Sequence, residues 1–189
     1  SITLTEPTAL VASSTAGTIL CNGGTTSVVV SATGGTAPYT GEGSFTVSAG
    51  AYSYTVTDAN GCTSTTTGTV TEPTAVVTSS SATAILCNGG SATVTVSATG
   101  GTAPYTGEGT FTVTAGTYTY TVTDANGCSN TTSITVTEPA AIGASSSATA
   151  ILCNGGSSTV TVSAVGGTAP YSGDGTFTVT AGTYNYTVT

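Results

Sequence analysis

The chain has 189 residues and a formal charge of −8, because it contains eight acidic residues and no lysine, arginine or histidine. A chain without cations cannot neutralise phosphates, so we exclude nucleic acids and anionic membrane surfaces as partners. Hydrophobic residues make up 38% of the sequence and alternate with 48 Thr and 23 Ser. This composition predicts a folded β protein, and no apolar run reaches the roughly 20 residues that would insert into a membrane as a spanning helix.

The same motifs return along the chain with a constant period of 66 in the residue numbers. ILCNGG begins at Ile19, Ile85 and Ile151, and GGTAPY follows it each time. Residues 8–73 and 74–139 are identical at 49 of 66 aligned positions. Such self-similarity is the signature of a repeat array. The predicted organisation is a terminal strand (1–7) that completes a preceding domain of the same array or of another subunit, two full repeats (8–73 and 74–139), and a third repeat (140–189) that is truncated before its last strand.

Each repeat alternates with the period of two that is typical of β-strands. Val94, Val96 and Ala98 alternate with Thr and Ser, and Tyr118 and Tyr120 alternate with Thr. Turn motifs rich in Gly, Asn and Pro separate the strands at regular intervals. About seven short strands in such a repeat favour an all-β fold of tandem Ig-like β-sandwich repeats, arranged as beads on a string, over a small barrel.

The five cysteines follow the repeat. Cys21 and Cys62 have the same separation in the sequence as Cys87 and Cys128, and a partner for Cys153 at that separation falls outside the chain. We therefore predict disulfides within the first two repeats, Cys21–Cys62 and Cys87–Cys128. Zinc is disfavoured because the chain has neither histidine nor a CxxC motif. Disulfides indicate an extracellular or cell-surface location.

Four motifs taken together carry a family resemblance: CNGG, GGTAPY, AGTYTYTVTDANGC and the closing TVTEP. In this order they resemble the SprB-type repeat of large surface and secreted proteins of Bacteroidetes, over essentially the whole chain. The resemblance implies Ig-like modules in long exported arrays, in adhesins and gliding-associated proteins. The segment after the Pro-Tyr pair is shorter here than in the family and lacks tryptophan, so the resemblance does not extend to ligand binding by that loop.

The acidic residues lie at turns and strand ends. Without histidine or lysine the chain can form neither an acyl-transfer triad nor a Schiff base, and we predict no enzyme activity and no organic cofactor. Calcium is the metal that scattered acids of an extracellular repeat could bind. An alternative is that DANG forms a tight turn and that the glutamate before proline marks a domain junction stiffened by the proline. The calcium candidates are Glu42, Asp58, Glu72, Glu108, Asp124 and Glu138.

Two asparagines lie in Asn-X-Thr acceptor sequences, Asn130 and Asn185. Asn185 falls on the polar face of its predicted strand. Sugars on these residues, or O-linked sugars on the rows of threonine, would help to keep a weakly charged surface soluble. Covalent glycans are therefore predicted partners of the chain.

The opening segment SITLTEP repeats the strings that close the first and second repeats, TGTVTEP and SITVTEP. Ile2 and Leu4 are two residues apart in the sequence, so in a strand they would lie on the same face, as an intersubunit strand requires. Two interpretations follow: the chain is a window of a longer continuous array, or separate chains polymerise by strand donation. In both, the partners are copies of the chain or neighbouring repeats, and the predicted function is a structural filament or stalk. The alternative is the repeat region of an adhesin that binds a glycan or a solid surface.

Overall fold

The computed structural model describes residues 2–189 and is all-β. Within that range it has thirteen strands and no helix, and therefore no helix with the length and hydropathy to cross a membrane. The strands are β1 (Val11–Ala16), β2 (Thr26–Thr33), β3 (Gly43–Val47), β4 (Gly50–Thr57), β5 (Thr63–Val70), β6 (Val77–Ala82), β7 (Ala92–Thr99), β8 (Gly109–Val113), β9 (Gly116–Thr123), β10 (Ser129–Val136), β11 (Gly143–Ala148), β12 (Ser158–Val165) and β13 (Gly175–Val179).

The strands form five small sheets, with the orders β1-β2-β3, β4-β5, β6-β7-β8, β10-β9 and β11-β12-β13. In the first sheet β2 pairs antiparallel with both neighbours, and Val30 lies opposite Ser14 on one side and Gly43 on the other. The β4–β5 hairpin pairs Gly50 with Val70 at one end and Thr57 with Thr63 at the other. The pattern of strands from β1 to β3 returns in β6 to β8 and in β11 to β13.

The core of residues 8–73 is formed where the first sheet packs on the β4–β5 hairpin. Its buried members are aliphatic, and Phe45, Tyr52 and Tyr54 pack around them. Val28 is fully buried while its strand neighbour Val29 is 51% exposed, so the predicted alternation of β2 is confirmed. Burial of one such side chain stabilises the fold by about 1.5–3 kcal/mol. The core residues are Ile19, Val28, Val30, Val56 and Val70.

Residues 8–73 have two opposite ends, which we name after the motifs they carry. At the DANGC end, the turn 58–62 connects β4 to β5 and lies beside the turn 34–36, because the Thr36 N–H donates to Asp58. Gly34 has a φ of 75°, and a Cβ there would overlap the carbonyl oxygen of Ala9. At the CNGG end, residues 21–24 precede β2 and lie beside Glu72, which follows β5.

The predicted disulfides within the repeats are wrong. Cys21 is bonded to Cys128, while Cys62 and Cys87 are free thiols in residues 2–189. Cys21 and Cys62 lie at opposite ends of the same repeat, separated by the length of β5. A strand of that length spans about 23 Å, whereas the two Cα atoms of a disulfide lie about 4.4–6.8 Å apart. The equal sequence separation of the predicted pairs therefore reflects the repeat rather than proximity.

The first residues of the chain form no strand between Ile2 and Leu10. Ile2 and Leu4 are 90% and 93% exposed, and Ser1 lies outside the described residues. That the segment 1–7 completes another domain stays a prediction. The chain divides into two compact units: Ser1–Ser79 with Ser97–Glu108 and Thr121–Thr131, and Ser80–Val96 with Gly109–Tyr120 and Thr132–Thr189. The division runs through the predicted second repeat.

Candidate functional site: the junction at Cys21 and Cys128

The candidate site is the junction of residues 8–73 with the residues that follow Pro73, and it lies within the first compact unit. Its centre is the disulfide between Cys21 of the first CNGG motif and Cys128 of the second DANGC motif. The Cα atoms of the pair are 5.6 Å apart, and their sequence separation is 107. The bond therefore connects the CNGG end of one predicted repeat to the DANGC end of the next.

Hydrogen bonds hold the chain on both sides of the junction. The Glu72 carboxylate accepts the N–H of Gly23 at 2.6 Å, and the Asn22 amide donates to the carbonyl of Pro73 at 3.1 Å. The next carbonyl, that of Thr74, accepts the N–H of Gly101 at 2.8 Å. The consecutive residues Pro73 and Thr74 are thus held by different predicted repeats, and the connection between these repeats contains no additional residue.

The same arrangement recurs one repeat later, within the second compact unit. Glu138 accepts the N–H of Gly89 at 2.6 Å, and Asn88 donates to the carbonyl of Pro139 at 3.1 Å. The carbonyl of Ala140 accepts the N–H of Gly167 at 2.7 Å. The interpretation that the glutamate before proline marks a junction agrees with these positions. Sequence reasoning did not foresee that this carboxylate binds the NGG backbone.

The DANGC turn presents its outer edge to the junction. Asp124 accepts the N–H groups of Thr102, Asn126 and Cys128 at 2.9 Å each. Asn126 donates one amide hydrogen to the Thr102 hydroxyl and another to the carbonyl of Leu20 at 3.2 Å. The turn therefore both positions Cys128 and contacts the CNGG loop.

Asp58 occupies the same position in the first repeat. Desolvation by itself would raise the pKa of Asp58, but the N–H donors of Cys62, Thr36 and Asn60 outweigh it and hold the pKa below its usual value. Asp124 has a lowered pKa for the same reasons. The N–H donors of each turn therefore favour the ionised carboxylate.

The calcium candidates are spread over several places. Asp58 and Asp124 lie in the DANGC turns, Glu72 and Glu138 bind CNGG loops, and Glu42 accepts the N–H of Ala32 at 2.6 Å. Glu108 has no hydrogen bond in the part of the chain that the structure describes. Among residues 2–189, no three acidic or cysteine side chains come close enough together to hold a metal ion. The alternative that DANG forms a tight turn accounts for Asp58 and Asp124.

Both candidate glycosylation sites are exposed. The Asn130 amide donates to the carbonyl of Val76 at 2.7 Å, and its oxygen accepts the N–H of Thr131 at 2.7 Å. A sugar on Asn130 would be attached to the same amide nitrogen that donates to the carbonyl of Val76. Asn185 has an exposed side chain and lies outside the strands. Glycosylation of both residues stays a prediction.

A shallow cleft adjoins the disulfide. It is lined by both cysteines, by the linker at Pro73 and Thr74, and by Asp124 and Asn130. Asp124 is the one ionisable side chain among its lining residues, and its oxygens already accept the backbone N–H groups of the DANGC turn. No protein-family model matches the chain, and no curated protein matches it.

Proposed function

We propose that the chain is a segment of an extracellular structural thread, in which SprB-type Ig-like β-sandwich repeats follow one another head to tail. A thread of this kind needs identical units and stiff connections between them. The motif spacing supports the first requirement, and the junction contacts support the second. The disulfide supports an oxidising, extracellular location.

The observation that carries the proposal is the fastening of two consecutive residues to different repeats. Pro73 is held by Asn22, and Thr74 is held by Gly101. A connection without free residues cannot act as a flexible linker. The Cys21–Cys128 bond adds a second covalent link between the same two repeats, so that bending must distort a closed ring.

The strand before each junction supports the idea that a TEP segment closes the repeat it follows. β5 pairs with β4 along its whole length, and it also reaches β1. The Ala12 N–H donates to the Ser64 hydroxyl at 3.0 Å, and the hydroxyls of Ser14 and Thr66 are 2.8 Å apart. In the third repeat, β11 is exposed along its whole length and the residues after β13 form no strand within the described range.

The opening segment has the residues to close such a repeat. Ile2 and Leu4 stand one period before Gly68 and Val70, at the positions that Ile134 and Val136 occupy in the second repeat. Val70 and Val136 are only 4% and 5% exposed, while Leu4 is 93% exposed. An exposed leucine at a core position supports closure of a repeat in the same array or in another subunit.

Bending at the junction tests the proposal. A Gly-Ser-Gly-Ser insertion between Pro73 and Thr74, with Cys21→Ser and Cys128→Ser, removes both connections but leaves each repeat intact. In electron micrographs of single chains, the unaltered chain should show one narrow distribution of angles at this junction, and the variant a broad one. A broad distribution for the unaltered oxidised chain would refute the stiff thread.

The mass of the denatured, unreduced natural protein distinguishes the two forms of thread. A very large species supports a continuous array, and one discrete protomer within fibres supports strand donation. An adhesin would instead show saturable binding of the isolated chain to a glycan or a solid surface. Such binding, without thread formation, would favour the alternative function.

A further inference from the structure

We propose that copies of this chain are joined head to tail by a disulfide between Cys153 of one copy and Cys62 of the next. The inference rests on the proposed thread and adds the chemistry that locks one copy to another. Cys62 and Cys153 are both exposed free thiols in residues 2–189. Each of them occupies the position of one partner of the Cys21–Cys128 bond.

Cys153 corresponds to Cys21. Both lie in ILCNGG, and both carbonyls accept the N–H of the last glycine of that motif, from Gly156 at 2.9 Å and from Gly24 at 3.0 Å. The residue before each cysteine differs in exposure. Leu20, whose carbonyl accepts the amide of Asn126, is 56% exposed, whereas Leu152 is 92% exposed. The loop around Cys153 therefore has the same hydrogen bond as the loop around Cys21, but no DANGC turn covers Leu152 in residues 2–189.

Cys62 corresponds to Cys128. The N–H of Cys62 donates to Asp58 at 2.8 Å, as the N–H of Cys128 donates to Asp124 at 2.9 Å. Asn60 donates one amide hydrogen to Thr36 at 2.9 Å, as Asn126 does to Thr102. The second amide hydrogen of Asn126 binds the carbonyl of Leu20. Within residues 2–189 the second amide hydrogen of Asn60 has no acceptor, so it can bind the carbonyl of Leu152 on another copy.

The opening residues complete the set of contacts. At the first junction, Glu72 accepts from Gly23 and the Pro73 carbonyl accepts from Asn22. The equivalent donors of the third repeat are the N–H of Gly155 and the amide of Asn154. The equivalent acceptors, Glu6 and Pro7, belong to the opening segment of a second copy, which also carries Cys62. Each of these contacts between a CNGG motif and a TEP segment thus has both of its partners at an interface between two copies.

The matched control is Cys87, which is also an exposed free thiol in a CNGG motif. Its loop already contacts Glu138 and Pro139. The opening segment of another copy therefore cannot take up these contacts beside Cys87. Nonspecific oxidation would involve Cys87 as readily as Cys153, whereas a directed junction would leave it free.

Bond formation requires an oxidant, and a small-molecule disulfide such as oxidised glutathione is sufficient. The thiolate of Cys62 attacks one sulfur of the small disulfide, forms a mixed disulfide and releases one small thiolate. The thiolate of Cys153 then attacks the Cys62 sulfur and releases the second. The two protein thiols lose two protons and two electrons, and the small disulfide is reduced to two thiols.

The test uses two variants of the full chain, both carrying Cys87→Ser. One also carries Cys62→Ser and keeps Cys153, and the other carries Cys153→Ser and keeps Cys62. Each is incubated with oxidised glutathione, alone and as a mixture, and is then analysed on a denaturing gel without reductant. Only the mixture should give a species of twice the 18.0 kDa protomer mass, and it should stop at that size. The unaltered chain should give a ladder, which Cys87→Ser alone should leave unchanged.

Dimers of either variant alone, or no dimer in the mixture, would overturn the proposed bond. Sedimentation of the reduced chain separates this failure from failure of the thread. If reduced chains associate but the mixture forms no covalent dimer, the disulfide is wrong and the head-to-tail thread stands. If the reduced chains do not associate and the mixture forms no dimer, both the Cys62–Cys153 bond and the assembly of separate chains into a thread are wrong.

Discussion

Pulling a single chain from its two termini measures the length of chain that is enclosed by the Cys21–Cys128 bond. In the oxidised chain the disulfide carries the applied force, so the residues between Cys21 and Cys128 are not extended. The sequence separation of these two cysteines is 107. An extended chain spans about 3.3–3.6 Å per residue, so reduction should release roughly 360 Å of additional length after the repeats have unfolded. The physical reason is that force passes across the disulfide instead of through the residues between the two cysteines.

The value also discriminates between pairings. Disulfides within the repeats, Cys21–Cys62 and Cys87–Cys128, would each hide only the stretch between its own two cysteines, and reduction would then release only about 280 Å in total. Single-molecule force spectroscopy resolves this difference. Cys21→Ser should abolish the gain on reduction, and Cys87→Ser should leave it unchanged. A gain near the smaller value in the unaltered chain would refute the junction bond.

Three further predictions concern stability. Replacing Glu72 by Gln removes a charged acceptor from the N–H of Gly23, and it should lower the free energy of unfolding by about 1 kcal/mol in chemical denaturation; an unchanged midpoint would contradict a role for this carboxylate. Because the pKa values of Asp58 and Asp124 are lowered by folding, their contribution is present above the usual value of 3.8 and should be lost as the pH falls through the native pKa values. Melting temperatures measured against pH should therefore decline below this range, and Asp→Asn at both positions should flatten the decline; a profile that the double variant leaves unaltered would disprove it. Gly34→Ala should be the most destabilising of these changes, by roughly 2–4 kcal/mol, because it adds a backbone overlap to the strain of a positive φ. Gly23→Ala, at a φ of 74° with open space around it, should cost only about 1 kcal/mol. Equal losses of stability for the two substitutions would contradict a destabilising overlap between a Cβ at position 34 and the Ala9 carbonyl.

Much of the secondary structure can be predicted from the sequence because local rules determine it. The alternation in β2 separates buried Val28 and Val30 from exposed Val29, as a period of two requires. The DANG turn is also a local feature, in which Asp58 accepts the N–H groups of Asn60 and Cys62. Such contacts span only a few residues, so composition and order are enough to identify them.

The junction could not be predicted in the same way, because a spacing within a repeat does not say which repeat supplies the partner. Cys21 could be assigned to Cys62 or to Cys128 by symmetry alone. A signal was nonetheless present. Cys21 shortly precedes the start of β2, and Cys62 directly precedes the start of β5 after a hairpin turn. Following the strand directions through the repeat would have placed the two cysteines at opposite ends and favoured a bond to the next repeat.

A covalent bond across the junction between consecutive repeats can be located directly by proteolysis and mass spectrometry. Because the chain has no lysine or arginine, a protease that cleaves after Asp and Glu is the appropriate reagent. It does not cleave the bonds before Pro7, Pro73 and Pro139, so Cys21 lies in fragment 1–42, Cys62 in fragment 59–108 and Cys128 in fragment 125–174. Mass spectrometry of the oxidised, alkylated digest of the single chain should find fragment 1–42 linked to fragment 125–174, with an alkyl group on Cys153. A link between fragment 1–42 and fragment 59–108 would contradict a bond across the junction.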